Sequence, residues 1–329
     1  AAWLALVEKT LKGAPFERLV GKTADDIAIQ PLYRAPSPAS GVPGSAPYWR
    51  GATAAGQVVH GWDIRQRHEH PDPAVSNKAI LDDLEHGVQS IVLRLDTAYA
   101  QGEDEPDGVM AYDQAGLEVL LDGVLLDLAA FELDAPGRGV ESAEAFMALL
   151  TSRGHDPATI RADIGLDPIG AVALGKAEAE TAVEQTVELL HKTIGTWQKL
   201  GLLHVDGEIY HAAGASEAEE LAATIATGIA YLRAADSAGL SPDLLAPKMR
   251  FTIAADADIF LTIAKCRAAR RLWAEVTEAC GLSHVPMRLE LKTASRMLTR
   301  RDPYVNMLRT TAACFAAAIG SGSSSPRSI

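Results

Sequence analysis

The sequence predicts an α/β chain of the (β/α)8 TIM-type barrel class that lacks its last strand, with an N-terminal helical extension. Three observations carry this prediction. Apolar, strand-like runs recur at intervals of about 30 to 45 residues, most intervals hold an amphipathic helix, and no glycine-rich nucleotide fingerprint follows any strand. Strands alternating with helices at this period imply a parallel sheet, and seven such units favour a barrel over a doubly wound sheet.

The elements follow in order. Trp3, Leu4, Leu6, Val7 and Leu11 form an apolar stripe that predicts a helix, docked on its own barrel or on a partner. GQVVHGW (56–62) reads as the first barrel strand and AVSNKAILDDLEHG (74–87), with Ile80, Leu81 and Leu84 at helical spacing, as its helix. VQSIVLRLD (88–96) and GVLLDLA (123–129) read as the next strands; ESAEAFMALLTSRG (141–154) then opens on a Ser142 cap and stops at Gly154. TIRADIGL (159–166), GLLHVDG (201–207), KMRFTIAA (248–255) and PMRLELKT (286–293) complete seven strands. Long apolar helices at 217–239 and 257–281 end at glycine. After the helix at 305–320 the sequence SGSSSPRSI cannot supply a buried eighth strand, which reads as truncation. The division is a 1–50 extension of helix plus extended segment, a 51–320 barrel and a disordered tail at 321–329.

Composition excludes some roles. A net charge of -13 argues against general nucleic-acid binding, and no apolar run reaches membrane-spanning length. Cys266, Cys280 and Cys314 have neither zinc nor disulfide spacing and read as thiols of a reducing cytoplasm.

WLALVEKTLKGAPFERLVGKTADDIAIQPLYR (3–34), WDIRQ (62–66), IYHAAGAS (209–216) and DPYVNMLRTTAACFAAAIG (302–320) lie in one order along the chain. Together they resemble the methylmalonyl-CoA mutase family, and most of all the small (β) subunit of its bacterial heterodimers. The resemblance covers essentially the whole chain and implies a barrel through which an acyl-CoA threads. It also implies a large (α) catalytic partner that interconverts (R)-methylmalonyl-CoA and succinyl-CoA with adenosylcobalamin.

In the family's catalytic chains the first-strand motif resembles Arg-Pro-Trp-Thr-Ile-Arg-Gln-Tyr. The arginines and the threonine hold CoA, and the tyrosine meets the substrate. Here the second arginine stands as Arg65, followed by Gln66, while His60, Asp63 and Arg67 replace the first arginine, the threonine and the tyrosine. A cation lost and a carboxylate gained weaken the hold on phosphates. Arg67 brings charge where the chemistry needs a neutral phenol in a water-poor site. The resemblance also matches Tyr210 and His211 to a Tyr-His pair whose histidine contacts the thioester, although the segment that follows is two residues shorter. Read alone, such a histidine is more often structural. No Asp-x-His-x-x-Gly occurs to hold cobalt from below, so adenosylcobalamin is expected on the holoenzyme and not on this chain, and the cobalamin domain is absent from it. No catalytic residue and no metal site are assigned.

Other motifs invite plain readings. His68 and His70 of HEH, and the acidic QGEDEPDG (101–108), read as solvated loop. Asp256 and Asp258 read as helix caps, and Lys265, Arg267, Arg270 and Arg271 as an outer surface. Lys292, Arg296, Arg300 and Arg301 sit where a remaining phosphate contact would be sought. The leading expectation is a non-catalytic small subunit. Two others stand beside it: an active mutase barrel with altered acyl specificity and a separate cobalamin chain, or a ligand-binding scaffold barrel without mutase chemistry.

Overall fold

Alternation of apolar and charged residues along short strands decides how this chain folds. A computed structural model describes residues 2–33, 41–56, 65–282 and 285–321. Helix α1 (Ala2–Leu11) leads to a short antiparallel pair, β1 (Gly21–Lys22) and β2 (Ala28–Ile29). Then come β3 (Arg65–His68), α2 (Pro73–Glu85), β4 (Ser90–Arg94), α3 (Gln114–Leu120), β5 (Ala130–Asp134), α4 (Gly139–Ser152), β6 (Ala162–Leu166) and α5 (Pro168–Ala173). They are followed by α6 (Ala179–Thr193), β7 (Gly201–Asp206), α7 (Glu208–Ala212), α8 (Glu217–Ser237) and α9 (Pro242–Leu245). The last elements are β8 (Met249–Ala255), α10 (Ile259–Ala279), β9 (Arg288–Thr293) and α11 (Val305–Ser321).

Strands β3 to β9 pair in sequence order, all parallel, in one seven-stranded sheet that curls into a half-barrel. Its convex face is the core. Ile91, Leu93, Phe131, Leu133, Ile164, Phe251, Ile253 and Leu289 are buried against Ile80, Phe146, Leu189 and Trp273 of the helices. Each such side chain contributes about 1.5–3 kcal/mol. At Gly228 on α8 a Cβ would stand 2.9 Å from both the Phe251 and Trp273 rings, which themselves lie 4.5 Å apart, so only glycine admits this contact. Asp72, Asp113, Asp167 and Asp258 cap helices through backbone amides, and Ser216 with Glu219 forms a capping box at α8.

The seven-stranded architecture and the N-terminal helix match expectation; several details do not. The strand placed at 123–129 is a turn region, and the strand is Ala130–Asp134. Ser142 is buried inside α4, whose N-cap is Arg138. The first barrel strand is described over Arg65–His68, and residues 57–62 of the strand expected at 56–62 lie outside the described residues. His68 is buried on β3, its Nε2 3.3 Å from Asp83 Oδ2 on α2. Asp107, read as solvated, accepts from the Thr97 and Ala98 amides at 2.7 and 2.9 Å and pairs with Arg94. Lys265 and Arg270 point inward: Lys265 Nζ reaches Glu220 Oε2 at 2.5 Å, and Arg270 donates to the Gly320 carbonyl. A helix of this amphipathicity shows its charges in sequence but not their partners. Among the described residues no strand pairs with the outer edges of β3 and β9.

Candidate functional site

The concave face of the sheet is ionic from end to end. Every second residue of β5 from Glu132, of β8 from Arg250 and of β9 from Arg288 turns inward. Toward the N-terminal ends of the strands, Arg288 donates to Asp163 Oδ1 at 2.9 Å. Above it four side chains cross the axis. Arg65 on β3 and Arg250 on β8 both contact Glu132, and both reach Glu290 Oε2, at 3.2 and 3.1 Å. Arg65 Nε also donates to Ser90 Oγ at 3.0 Å. The exposures of these side chains, 3% for each arginine, 5% for Glu132 and 12% for Glu290, show that little solvent passes between them. Burial disfavours the charge on both arginines, yet the facing carboxylates hold their pKa values above the ordinary one. Burial and the neighbouring Glu132 push Glu290 upward. Two guanidiniums and two carboxylates therefore form a neutral plug.

Toward the C-terminal mouth, Arg67 donates to Glu69 at 2.8 Å and to Asp134 at 2.7 Å. Arg94 takes the other Asp134 oxygen at 3.0 Å. Burial pushes Asp134 up, but Arg94 and Arg67 outweigh it and hold the carboxyl below its usual range. His204 bonds Thr252 Oγ1 at 2.8 Å, and burial together with Arg250 keeps it neutral, well below its ordinary pKa. Burial lifts Asp206 to about 7, against the pull of Lys292. Lys292 itself pairs with Glu208 at 2.8 Å.

Two hollows remain. One of about 780 Å³ lies between β3, β9 and α11, lined by Arg67, Glu290, Lys292, Thr311 and Phe315 among others. A smaller one of about 290 Å³ opens between the ends of β5–β7 and helices α4–α6, and shares Asp134, His204 and Asp206 with the first.

Of the expected contacts, Arg65, Gln66 and Arg67 line the larger hollow, whereas His60 and Asp63 lie outside the described residues. Tyr210 and His211 sit on α7 and line neither lumen hollow. His211 is buried on the helix side, its Nδ1 3.5 Å from Glu220 Oε2 and its Nε2 3.8 Å from Asp256 Oδ2, so it is not brought to the pocket that the resemblance implies. Asp258 caps α10, as expected. Arg296 is engaged with the His211 and Ala215 carbonyls at 2.8 and 2.9 Å, while Arg300 and Arg301 are exposed. Glu132, Arg250, Glu290, His204 and Asp206 were missed. The signal for them was there: charged residues at alternate positions of otherwise apolar runs, as in RLELKT.

Among the described residues His68, His204 and His211 face Asp83, Thr252, and Glu220 with Asp256 respectively, and no group of His, Cys, Asp and Glu side chains could hold a metal ion. Among the described residues these three histidines, each turned to a protein partner, do not fit cobalamin. No helix among the described residues is long and apolar enough to cross a membrane.

A family model described as methylmalonyl-CoA mutase matches residues 22–325. The methylmalonyl-CoA mutase small subunit of Streptomyces virginiae is 40% identical over 329 residues, covering 97% of this chain and 51% of that protein. The small subunit of Propionibacterium freudenreichii subsp. shermanii is 34% identical, covering 98% of this chain and 51% of its own length. The methylmalonyl-CoA mutase of Escherichia coli (strain K12) is 27% identical, covering 97% of this chain and 48% of its own length. The chain thus spans about half the length of the curated relatives it matches.

Proposed function

The chain belongs to the methylmalonyl-CoA mutase family, and from that premise we propose that it serves as a small, non-catalytic subunit. Its role would be to support a large (α) chain that isomerises (R)-methylmalonyl-CoA to succinyl-CoA with adenosylcobalamin. One observation carries this reading: Arg65, Arg250, Glu132 and Glu290 close the lumen with ion pairs. A thioester threaded through the barrel would have to break these pairs, leaving buried charges unpaired at several kcal/mol each. Arg67, at the place of the family's tyrosine, is committed to Glu69 and Asp134.

The N-terminal extension supports a partner-binding role. No residue of α1 is buried, and Leu6, Ile27, Ile29 and Tyr33 are exposed. Monomers seldom leave so many large apolar groups in one segment uncovered. Three free cysteines, two of them exposed, suit a reducing cytoplasm.

The test is co-expression with the large mutase chain of the same source, with association read by size exclusion and light scattering and activity by turnover with adenosylcobalamin. A stable complex, active only with the large chain present, is the expected result. A chain that stays alone, turns nothing over and binds CoA esters would overturn it in favour of a ligand-binding barrel, a second reading that the 780 Å³ hollow supports. Turnover when the chain meets a separate cobalamin-binding protein would instead favour the active-barrel alternative.

A further inference from the structure

The smaller hollow is lined by side chains drawn from residues 134–209, at the ends of β5, β6 and β7 and along α4 to α6. Its rim is tied together. Gln101 Nε2 donates to the Lys176 carbonyl at 3.0 Å, Lys176 pairs with Glu103 at 2.6 Å, and a Cβ on Gly137 would stand 2.4 Å from that carbonyl. At about 290 Å³ the hollow sits at the lower end of the roughly 300–1,000 Å³ of small-molecule sites.

The lining is one-sided in charge. Asp134, Glu141, Asp167, Glu178 and Asp206 face the hollow, and among the described residues no lysine or arginine does. Asp134 is taken by Arg67 and Arg94, and Asp167 by the Tyr231 hydroxyl and the Gly170 and Asp206 amides. Asp206 accepts from the Glu208 amide at 3.0 Å and forms no ion pair among the described residues. Burial lifts its carboxyl to about 7 against the pull of Lys292, which itself pairs with Glu208. A cation beside Asp206 would therefore relieve an unfavourable charge. No group of side chains among the described residues could hold a metal ion, which leaves an organic cation.

Thr186 on α6 points to a ligand independently. It is only 5% exposed and lines the same hollow, yet its hydroxyl makes no hydrogen bond among the described residues. Buried hydroxyls rarely go unpaired, and a ligand hydroxyl matches one as both donor and acceptor. Between Asp206 and Thr186 the wall is apolar, with Val140, Leu166, Ala171 and Ile209.

We propose that this hollow binds a small aliphatic amino alcohol. Its ammonium donates to the Asp206 carboxylate, its alkyl part lies on Leu166 and Ile209, and its hydroxyl bonds Thr186. The inference rests on this hollow alone and does not depend on the subunit role proposed above.

The probe is 4-amino-1-butanol hydrochloride, titrated calorimetrically at pH 7 beside neutral 1,4-butanediol and anionic 4-hydroxybutyrate. The expected result is saturable binding of the amine with a Kd of about 1 mM or tighter, and at least about tenfold weaker binding of the other two. Titrations in phosphate and in MOPS should show about half a proton released per amine bound, as Asp206 gives up its own. Asp206→Asn should weaken binding at least about tenfold and abolish that release. Thr186→Val should weaken it about threefold to tenfold without lowering the Tm, since the hydroxyl it removes has no partner to lose. Diol or hydroxybutyrate binding as tightly as the amine would overturn the proposal, as would no saturable binding of the amine up to about 10 mM. Binding that survives Asp206→Asn would overturn it too. Binding lost in Asp206→Asn but untouched by Thr186→Val would likewise overturn it, by moving the ligand to the larger hollow that shares Asp206.

Discussion

Arg65 and Arg250, on strands β3 and β8, converge across the barrel axis on the same two carboxylates, Glu132 and Glu290. Each guanidinium disfavours the other's charge, and only the pair of glutamates makes the arrangement neutral. Removing one carboxylate should therefore cost far more than removing all four charges. Glu132→Ala is expected to lower unfolding stability by about 3–5 kcal/mol, because two buried cations would face one anion. Replacing all four residues with apolar ones of similar volume is expected to be neutral or stabilising. Urea midpoints with unchanged slopes would read both.

That plug shows what the sequence could and could not disclose. The convex face was legible, because Ile91, Leu93, Phe251 and Leu289 sit in apolar runs that nothing else explains. β5 was misplaced because GVLLDLA is more apolar than AFELD, whose Glu132 and Asp134 turn into an ionic lumen. Charge in an inward position reads as surface unless its partners are known, and those partners lie on distant strands. Lys265 misled in the same way: its partner Glu220 is 45 residues away in the chain. The N-terminal mutase-like signature and Arg65-Gln66 pointed to the lumen, but the motif could not show that Arg250 and Glu290 block it.

His204 and Asp206 project from the same strand and should titrate in opposite senses. Burial depresses His204, so the unfolded chain binds its proton first and stability falls as pH drops below the ordinary value of 6.5. Asp206 is raised to about 7, so the folded chain keeps a proton that the unfolded chain releases, and stability rises as pH falls from about 7 toward 4. Between pH 6.5 and 5 the two slopes, each at most about 1.4 kcal/mol per pH unit, oppose each other. Relative to the unaltered protein, His204→Gln should gain stability on acidification and Asp206→Asn should lose it. Parallel pH profiles for the two variants would refute this assignment.

Asp25 ties the N-terminal extension to the barrel. Its carboxylate accepts from Ser216 Oγ and from the Ala218 amide at 3.3 Å, at the N-terminus of α8. Asp25→Ala should cost the barrel only about 1 kcal/mol, in the range of a lost cap. It should nevertheless make residues 12–33 far more sensitive to limited proteolysis and, on the subunit role proposed above, weaken association with the large mutase chain. A proteolysis pattern that does not change would mean that other contacts hold the extension.

If the plug, rather than Arg67, is what excludes a CoA ester, restoring the family's tyrosine alone should achieve nothing. Arg67→Tyr removes a guanidinium from the mouth but leaves Arg65, Arg250, Glu132 and Glu290 in place beneath it. A charge-balanced opening is available: Glu132→Ser with Arg250→Ser withdraws one anion and one cation and leaves Arg65 paired with Glu290. That double variant avoids the stranded charge that makes single substitutions costly, and two short hydroxyls give an arm of amide groups something to bond. Calorimetric titration with succinyl-CoA should show no binding to the Arg67→Tyr variant up to about 1 mM, and measurable binding to the double variant. Adding Arg67→Tyr to the double variant should then tighten binding further. Binding by Arg67→Tyr alone would mean that the ion pairs part readily, and that the lumen is gated by the residue at its mouth rather than by the four beneath it.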